Sequence, residues 1–210
     1  KLTLEDEARE FLVDSTAGDA RIALNALEAA SMQVEDAETI ANLIRREPDA
    51  SFGHSRFPYS AIAFADWFGE MAEKDPAPDV ELAVVLRETG ELIGETGLYS
   101  IDWIARTAES GSWLYRAADR GKGYGTEAKL LLLEYAFERL GLNMIWAWVK
   151  ERNPRSQAAL RKQGYRDAGR FTWSSYGPDG FENARMFDLL ATEWRSARDG
   201  VMGEYSLRSR

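Results

Sequence analysis

Six consecutive residues, Arg120-Gly121-Lys122-Gly123-Tyr124-Gly125, put three glycines and two cations where a strand-like segment gives way to a helical one. Glycine accepts backbone angles that other residues resist and lets a ligand approach the main chain closely. A helix that starts in such a turn offers N–H groups without an intrahelical acceptor, and its dipole adds positive potential. Together they make a site for phosphate oxygens. Arg120 and Lys122 add charge at the rim. Two other phosphate-binding patterns do not fit the wording: the turn is neither a GxxxxGK[ST] loop nor a GxGxxG fingerprint.

The remaining reactive side chains narrow the chemistry. Cysteine is absent, which removes thiolate nucleophiles, disulfides and thiolate-bound zinc and fits a reducing cytoplasm. His54 is the single histidine, so any Ser-His-Asp triad would have to be built around it. No metal site is expected. The formal charge is −9, and residues 1–50 alone hold 5 basic and 12 acidic residues, a net of −7. The acidic excess therefore says little about residues 51–210, and it argues against a broad nucleic-acid surface. No run approaches the roughly 18 apolar residues of a membrane span, and the opening KLTLEDEAREF lacks a signal-peptide pattern.

The elements that must position the turn follow from periodicity. Leu4 to Val13 has helical spacing, Val34 to Glu47 reads as a helix stopped by Pro48, and a further helix covers Ala61 to Glu73. Arg21 to Met32 is ambiguous, since its Ala and Leu content favours helix while a sheet partner could draw Leu27 to Met32 into a strand. Val80 to Leu86 and Leu92 to Tyr99 read as a hairpin around Glu88-Thr89-Gly90-Glu91. A strand at Gly111 to Ala117 leads to the glycine turn, and Thr126 to Leu140 is helical. A strand at Met144 to Val149, a short helix at Arg155 to Gln163 and strands at Arg170 to Ser174 and Arg185 to Leu190 complete an α+β layout around one sheet.

With this order in place, residues 27–194 resemble the GNAT superfamily of N-acetyltransferases, most closely the branch that includes the ribosomal-protein N-terminal acetyltransferases. Arg120, Gly123 and Gly125 match its cofactor signature. Asn153-Pro154-Arg155-Ser156, then Leu160 and Gly164-Tyr165, match the segment that follows the next strand in that branch. The resemblance implies a three-layer fold whose strongly twisted mixed sheet splays open in the middle and is flanked by helices. It implies acetyl-CoA as cofactor, with the pantetheine arm paired to backbone near Trp113, Leu114 and Tyr115. The pyrophosphate would then lie on the N–H groups from Gly121 through Lys122, Gly123, Tyr124 and Gly125 to Thr126. Asn153 would stand beside the pantetheine, where an amide supplies both donor and acceptor, or else cap the helix behind it.

Acetyl transfer to an amine needs a neutral amine, a polarised thioester carbonyl and a proton for the departing thiolate. Without cysteine, direct transfer in a ternary complex is expected. Glu109, in the Ala-Glu-x-Gly position of the resemblance, is the preferred base, and His54 competes with it. Ser156 and Tyr165 are alternative acids for the thiolate, and Ser156 would also bind cofactor. Acceptor selection falls to Phe52–Tyr59, Ser100–Thr107 and Trp173–Asn183, which mix Phe57, Tyr59, Trp103, Trp173 and Tyr176 with Arg56, Asp102, Arg106 and Asp179. Such a rim suits a peptide N-terminus or a small amine, and equally a homodimer contact. The rival reading is a degenerate GNAT fold that binds CoA without transferring. Residues 4–30 instead resemble a lid segment of clamp-loader-related AAA+ ATPases, with Arg21 in the nucleotide-sensing position. The expected division is an acidic, helical N-terminal extension over 1–26, the acetyltransferase domain over 27–196 and a tail over 197–210.

Overall fold

The computed structural model describes residues 22–26 (main chain only), 76–177, 180–196 and 198. Their strands are β1 (Ile22–Ala26), β2 (Val80–Leu86), β3 (Leu92–Asp102), β4 (Thr107–Leu114), β5 (Met144–Lys150), β6 (Arg166–Gly177) and β7 (Gly180–Leu190). They form one mixed sheet in the order β1-β2-β3-β4-β5-β7-β6. All neighbours are antiparallel except β4 and β5, which run parallel. That single parallel step requires a crossover, which helix α1 (Tyr124–Glu134) supplies. Helix α2 (Pro154–Lys162) joins β5 to β6, and residues 191–196 are helical after β7.

Alternate positions of the strands carry the core. Leu82 and Val84 of β2, Leu98 of β3, Ala108 of β4, Ile145 and Ala147 of β5, and Phe187 and Leu189 of β7 are all buried. They join one apolar cluster with Leu130 to Leu133 of α1, Leu160 of α2 and Trp194. Each large side chain so buried contributes about 1.5–3 kcal/mol relative to leaving it exposed. The end of α1 widens into a π-helical turn at Tyr135–Arg139, where the Leu140 N–H donates to the Tyr135 carbonyl. The left-handed angle of Gly141 (φ 65°) follows, a backbone state that glycine adopts at little cost.

The sheet splits in its middle. Pairing of β4 with β5 is confined to Thr107↔Met144, Ala108↔Ile145 and Glu109↔Trp146, although β4 continues to Leu114 and β5 to Lys150. Beyond Glu109 the two strands diverge, as expected of a sheet that splays.

Several boundaries differ from the sequence reading. The strand expected at Gly111–Ala117 begins at Thr107 and stops at Leu114, because Ala117–Asp119 winds into a short 3-10 turn. The last hairpin is longer than expected, since each strand sustains the other. The first strand falls at Ile22–Ala26, inside the segment read as a helical extension, where main-chain pairing with Leu82–Leu86 outweighs the helix propensity of Ala and Leu. The helices read at 4–13, 34–47 and 61–73, and the strand read at Leu27–Met32, lie outside the described residues. No helix among the described residues is long and apolar enough to cross a membrane.

Candidate active site

The glycine turn is fastened to the end of β4. Arg116 Nε donates to Asp119 Oδ2 at 2.7 Å, and the Arg120 N–H closes on the Ala117 carbonyl. Arg120 folds back, donating from Nε and an Nη to the Leu114 carbonyl at 3.3 and 3.1 Å. Its guanidinium thus fixes the turn against the strand, a second task beside the rim charge expected of it. Lys122 extends outward, its side chain 54% exposed and its Nζ 4.0 Å from Asp119. Gly121 and Gly123 hold left-handed angles of 79° and 93°, which a side chain would strain. Gly123 occupies the N-cap of α1, and its carbonyl receives the Thr126 and Glu127 N–H groups. The N–H groups ahead of these have no acceptor within the helix. A Cβ on Gly121 would meet nothing within 4 Å, and one on Gly125 would rest against Leu114 at 3.6 Å. Helix-start N–H groups behind glycines, with open space beside Gly121, fit a pyrophosphate.

Behind the turn, β4 presents its β5-side edge to the split. Tyr115 is fully buried and donates its hydroxyl to Glu95 Oε2 at 2.8 Å, while Trp113 meets it edge-on at 5.5 Å. Leu114, half-buried, packs on the core. These contacts stiffen the strand whose edge would pair with an extended amide-bearing ligand. Cradle and edge together fit the two ends of CoA.

At the closed end of the split, Glu109 and Ser110 leave opposite faces of β4, as successive strand residues must. Ser110 Oγ lies 2.8 Å from the buried Tyr165 hydroxyl and 3.4 Å from the Trp146 carbonyl oxygen. Burial pushes the Tyr165 phenol well above its ordinary value, opposed by the Ser110 contact. Glu109 is half-buried, and desolvation raises its carboxyl, opposed by the Trp148 indole and the Lys129 amine. A carboxylate lifted in this way is better matched to accepting a proton near neutrality.

Asn153 caps α2: its Oδ1 accepts the Ser156 N–H at 3.1 Å, with Pro154 in the first helical turn. Ser156 stands half-buried on that turn. Among the described residues no hydrogen bond joins Ser156 to Tyr165 or Glu109; Glu109 is part of β4, and Tyr165 meets that strand through Ser110. In the acceptor loops, Trp103 donates to the Ala77 carbonyl at 2.9 Å, and Asp102 Oδ1 accepts from the Ile104 and Ala105 N–H groups. Trp173 and Tyr176 both pack on Phe181, at 5.8 and 5.2 Å between ring centroids, on the surface of the last hairpin. His54, Arg56, Phe57, Tyr59 and Asp179 lie outside the described residues. No group of three or more potential metal ligands occurs among the described residues.

Sequence reasoning missed the polar residues around Glu109. Glu81 and Glu95 are raised above the ordinary carboxylate range, chiefly by burial. Lys129 of α1 is only 3% exposed, and burial holds it down to about 7 against the pull of Glu109 and Glu81. The available signal was a lysine within the otherwise apolar run Ala128–Leu133.

Comparison with known proteins adds a second line. The family model described as "Acetyltransferase (GNAT) domain" matches residues 27–166. The putative ribosomal N-acetyltransferase YdaF of Bacillus subtilis is 26% identical over 175 residues, covering 80% of this chain and 92% of that protein. Among solved structures, a probable acetyltransferase superimposes with a TM-score of 0.71 at 27% identity, covering 83% of this chain and 95% of its own. A spermidine N-acetyltransferase from Vibrio cholerae in complex with CoA and spermine gives 0.72 at 20% identity, covering 83% and 98%, and shares the fold.

Proposed function

The chain belongs to the GNAT acetyltransferase family and is an acetyl-CoA-dependent enzyme acting on an amine; from that premise we propose how its own residues divide the work. When bound, acetyl-CoA supplies an acetyl group activated as a thioester. Backbone N–H groups from Gly121 to Thr126, with Lys122 at the rim, would hold its phosphates. The edge of β4 at Trp113 and Leu114, with Tyr115 just beyond it, would hold the amide arm, with the Asn153 side-chain NH2 facing it. Glu109 takes the proton from the acceptor amine, directly or through water. Tyr165, through its contact with Ser110 at the closed end of the split, or Ser156, from the first turn of α2, returns a proton to sulfur.

The observation that carries this reading is the position of Glu109 at the last β4–β5 pair, where the split opens. Its raised carboxyl supports the role of base. The acceptor falls within peptide N-termini and small amines. Two classes are to be tried first: a protein N-terminus, after the ribosomal N-acetyltransferase YdaF, and a polyamine, after the Vibrio cholerae enzyme bound to spermine. The ribosomal-branch assignment, a cytoplasmic location, a homodimer and the lid-like origin of residues 4–30 belong to the same proposal.

The test is a pH–rate profile with an acceptor identified by free-thiol release. Positioned acid–base catalysis contributes roughly 100- to 10,000-fold, so Glu109→Gln is expected to lower kcat by that order at neutral pH, with the rate recovering as pH rises and more amine is neutral. Acetyl-CoA affinity is expected to stay within about twofold, because Glu109 lies away from the phosphate cradle. Wild-type turnover with an unchanged acidic limb would remove Glu109 from the role.

A further inference from the structure

We propose that Lys129 is a positioning residue of the transfer reaction, which sets the charge of Glu109 from within a buried polar cluster spanning β2, β3, β4 and α1. The inference rests on Glu109 being the base and adds a residue to that machinery.

The cluster is defined by register. Glu81 pairs with Gly97, Glu95 and Tyr99 lie two positions either side of Gly97, and Tyr99 pairs with Glu109. All four side chains therefore share one face of the sheet. The Tyr99 ring covers Gly97 and Gly111: a Cβ on either glycine would come within 3.0 or 2.7 Å of it. From there its hydroxyl donates to Glu81 Oε1 at 2.8 Å. A phenol thus bridges from the residue opposite Glu109 to the carboxyl on β2, and Glu95 is occupied by Tyr115. Glu95 and Asp79 disfavour charge on Glu81, Asp79 also disfavours it on Glu109, and a cation nearby relieves that repulsion.

Lys129 is that cation. It is the only lysine of α1, it is nearly inaccessible, and no hydrogen bond or ion pair reaches it among the described residues. A buried amine is costly, and among the described residues the fields of Glu109 on β4 and Glu81 on β2 compensate Lys129. The groups facing Glu109 in turn are Trp148 from β5, Lys129 from α1 and Asp79 ahead of β2. Those facing Glu81 are Glu95, Tyr99, Asp79 and Lys129. Positive charge on Lys129 favours the carboxylate form of Glu109. Without it, Glu109 holds its proton to higher pH and is unavailable as base over more of the acidic range.

The experiment compares pH profiles of kcat for wild type, Lys129→Met, Lys129→Arg, Glu109→Gln and the Lys129→Met/Glu109→Gln pair. Lys129→Met is expected to move the acidic limb upward by about one pH unit, a rate loss of about tenfold on that limb, with acetyl-CoA affinity unchanged. Lys129→Arg, which keeps the charge, is expected to return the limb toward its wild-type position. In the Glu109→Gln background, Lys129→Met is expected to shift nothing further. A limb that stays put in Lys129→Met while Glu109→Gln abolishes it overturns the role of Lys129 alone. A limb that survives Glu109→Gln overturns both readings. Equal shifts in Lys129→Met and Lys129→Arg identify a packing effect and overturn the electrostatic assignment.

Discussion

At the scale of single residues, Asn153 has two tasks that can be separated. Its Oδ1 caps α2 by accepting the Ser156 N–H, and the resemblance gives its NH2 group to the pantetheine arm. Asp at this position keeps the cap and removes the donor. Asn153→Asp is therefore expected to hold the melting temperature of wild type while weakening acetyl-CoA binding several-fold. Asn153→Ala is expected to lose about 1 kcal/mol of stability in addition. Thermal melts read beside calorimetric titrations check both, and equal affinity in all three proteins would leave Asn153 as a cap only. Element positions were the most legible part of the sequence: the glycine turn opens α1, Glu109 lies on the strand ahead of it, and Asn153-Pro154-Arg155-Ser156 begins α2. What could not be read was partnership. Nothing in the spacing says that Arg120 folds back to Leu114, or that Ser110 meets Tyr165 across 55 positions, because side-chain contacts between distant segments depend on tertiary packing.

At the scale of elements, α1 is buried at every position from Ala128 to Leu133, and one of those positions is a lysine. Burial lowers Lys129 from its ordinary value of 10.5 to about 7. Between those values the unfolded chain binds the extra proton, so stability rises with pH across the window and the full penalty applies below about pH 7. Lys129→Met preserves volume and removes the charge, and is expected to stabilise the protein at pH 7 by on the order of 1–4 kcal/mol. The gain should shrink as pH approaches 10.5. Urea denaturation at pH 7 and pH 10 measures the difference; a destabilised variant at pH 7 would mean that the fields of Glu81 and Glu109 more than repay burial. The sequence announced α1 and the strands around it through periodicity, but placed the β4 strand four residues late, because the Thr107 end of β4 is fixed by pairing with β3 and β5.

For the whole molecule, the informative finding is where the sheet begins. β1 at Ile22–Ala26 pairs along the free edge of β2, so the boundary drawn at residue 27 divides a strand from its sheet. Local propensity could not settle this, since IALNA suits a helix as well as a strand until a partner edge is present. Removing residues 1–21 is expected to leave acetyl-CoA affinity unchanged within about twofold. Removing residues 1–26 strips β2 of its neighbour and is expected to lower stability and promote association through the exposed edge. Size-exclusion chromatography and melting curves of the two truncations distinguish these outcomes, and identical behaviour would show that β1 contributes nothing to the sheet's integrity.

The central claim is that the turn from Gly121 to Gly125 holds the phosphates of acetyl-CoA, and calorimetric titration tests it most directly. Gly123 has φ 93°, which Asn tolerates better than other side chains do, so Gly123→Asn controls for strain while Gly123→Glu adds a negative charge to the cradle. Wild type is expected to bind acetyl-CoA saturably, Gly123→Asn to bind within several-fold of it, and Gly123→Glu to lose at least tenfold in affinity, about 1.4 kcal/mol. Equal affinity in wild type and a folded Gly123→Glu would contradict the placement of the cofactor on this turn.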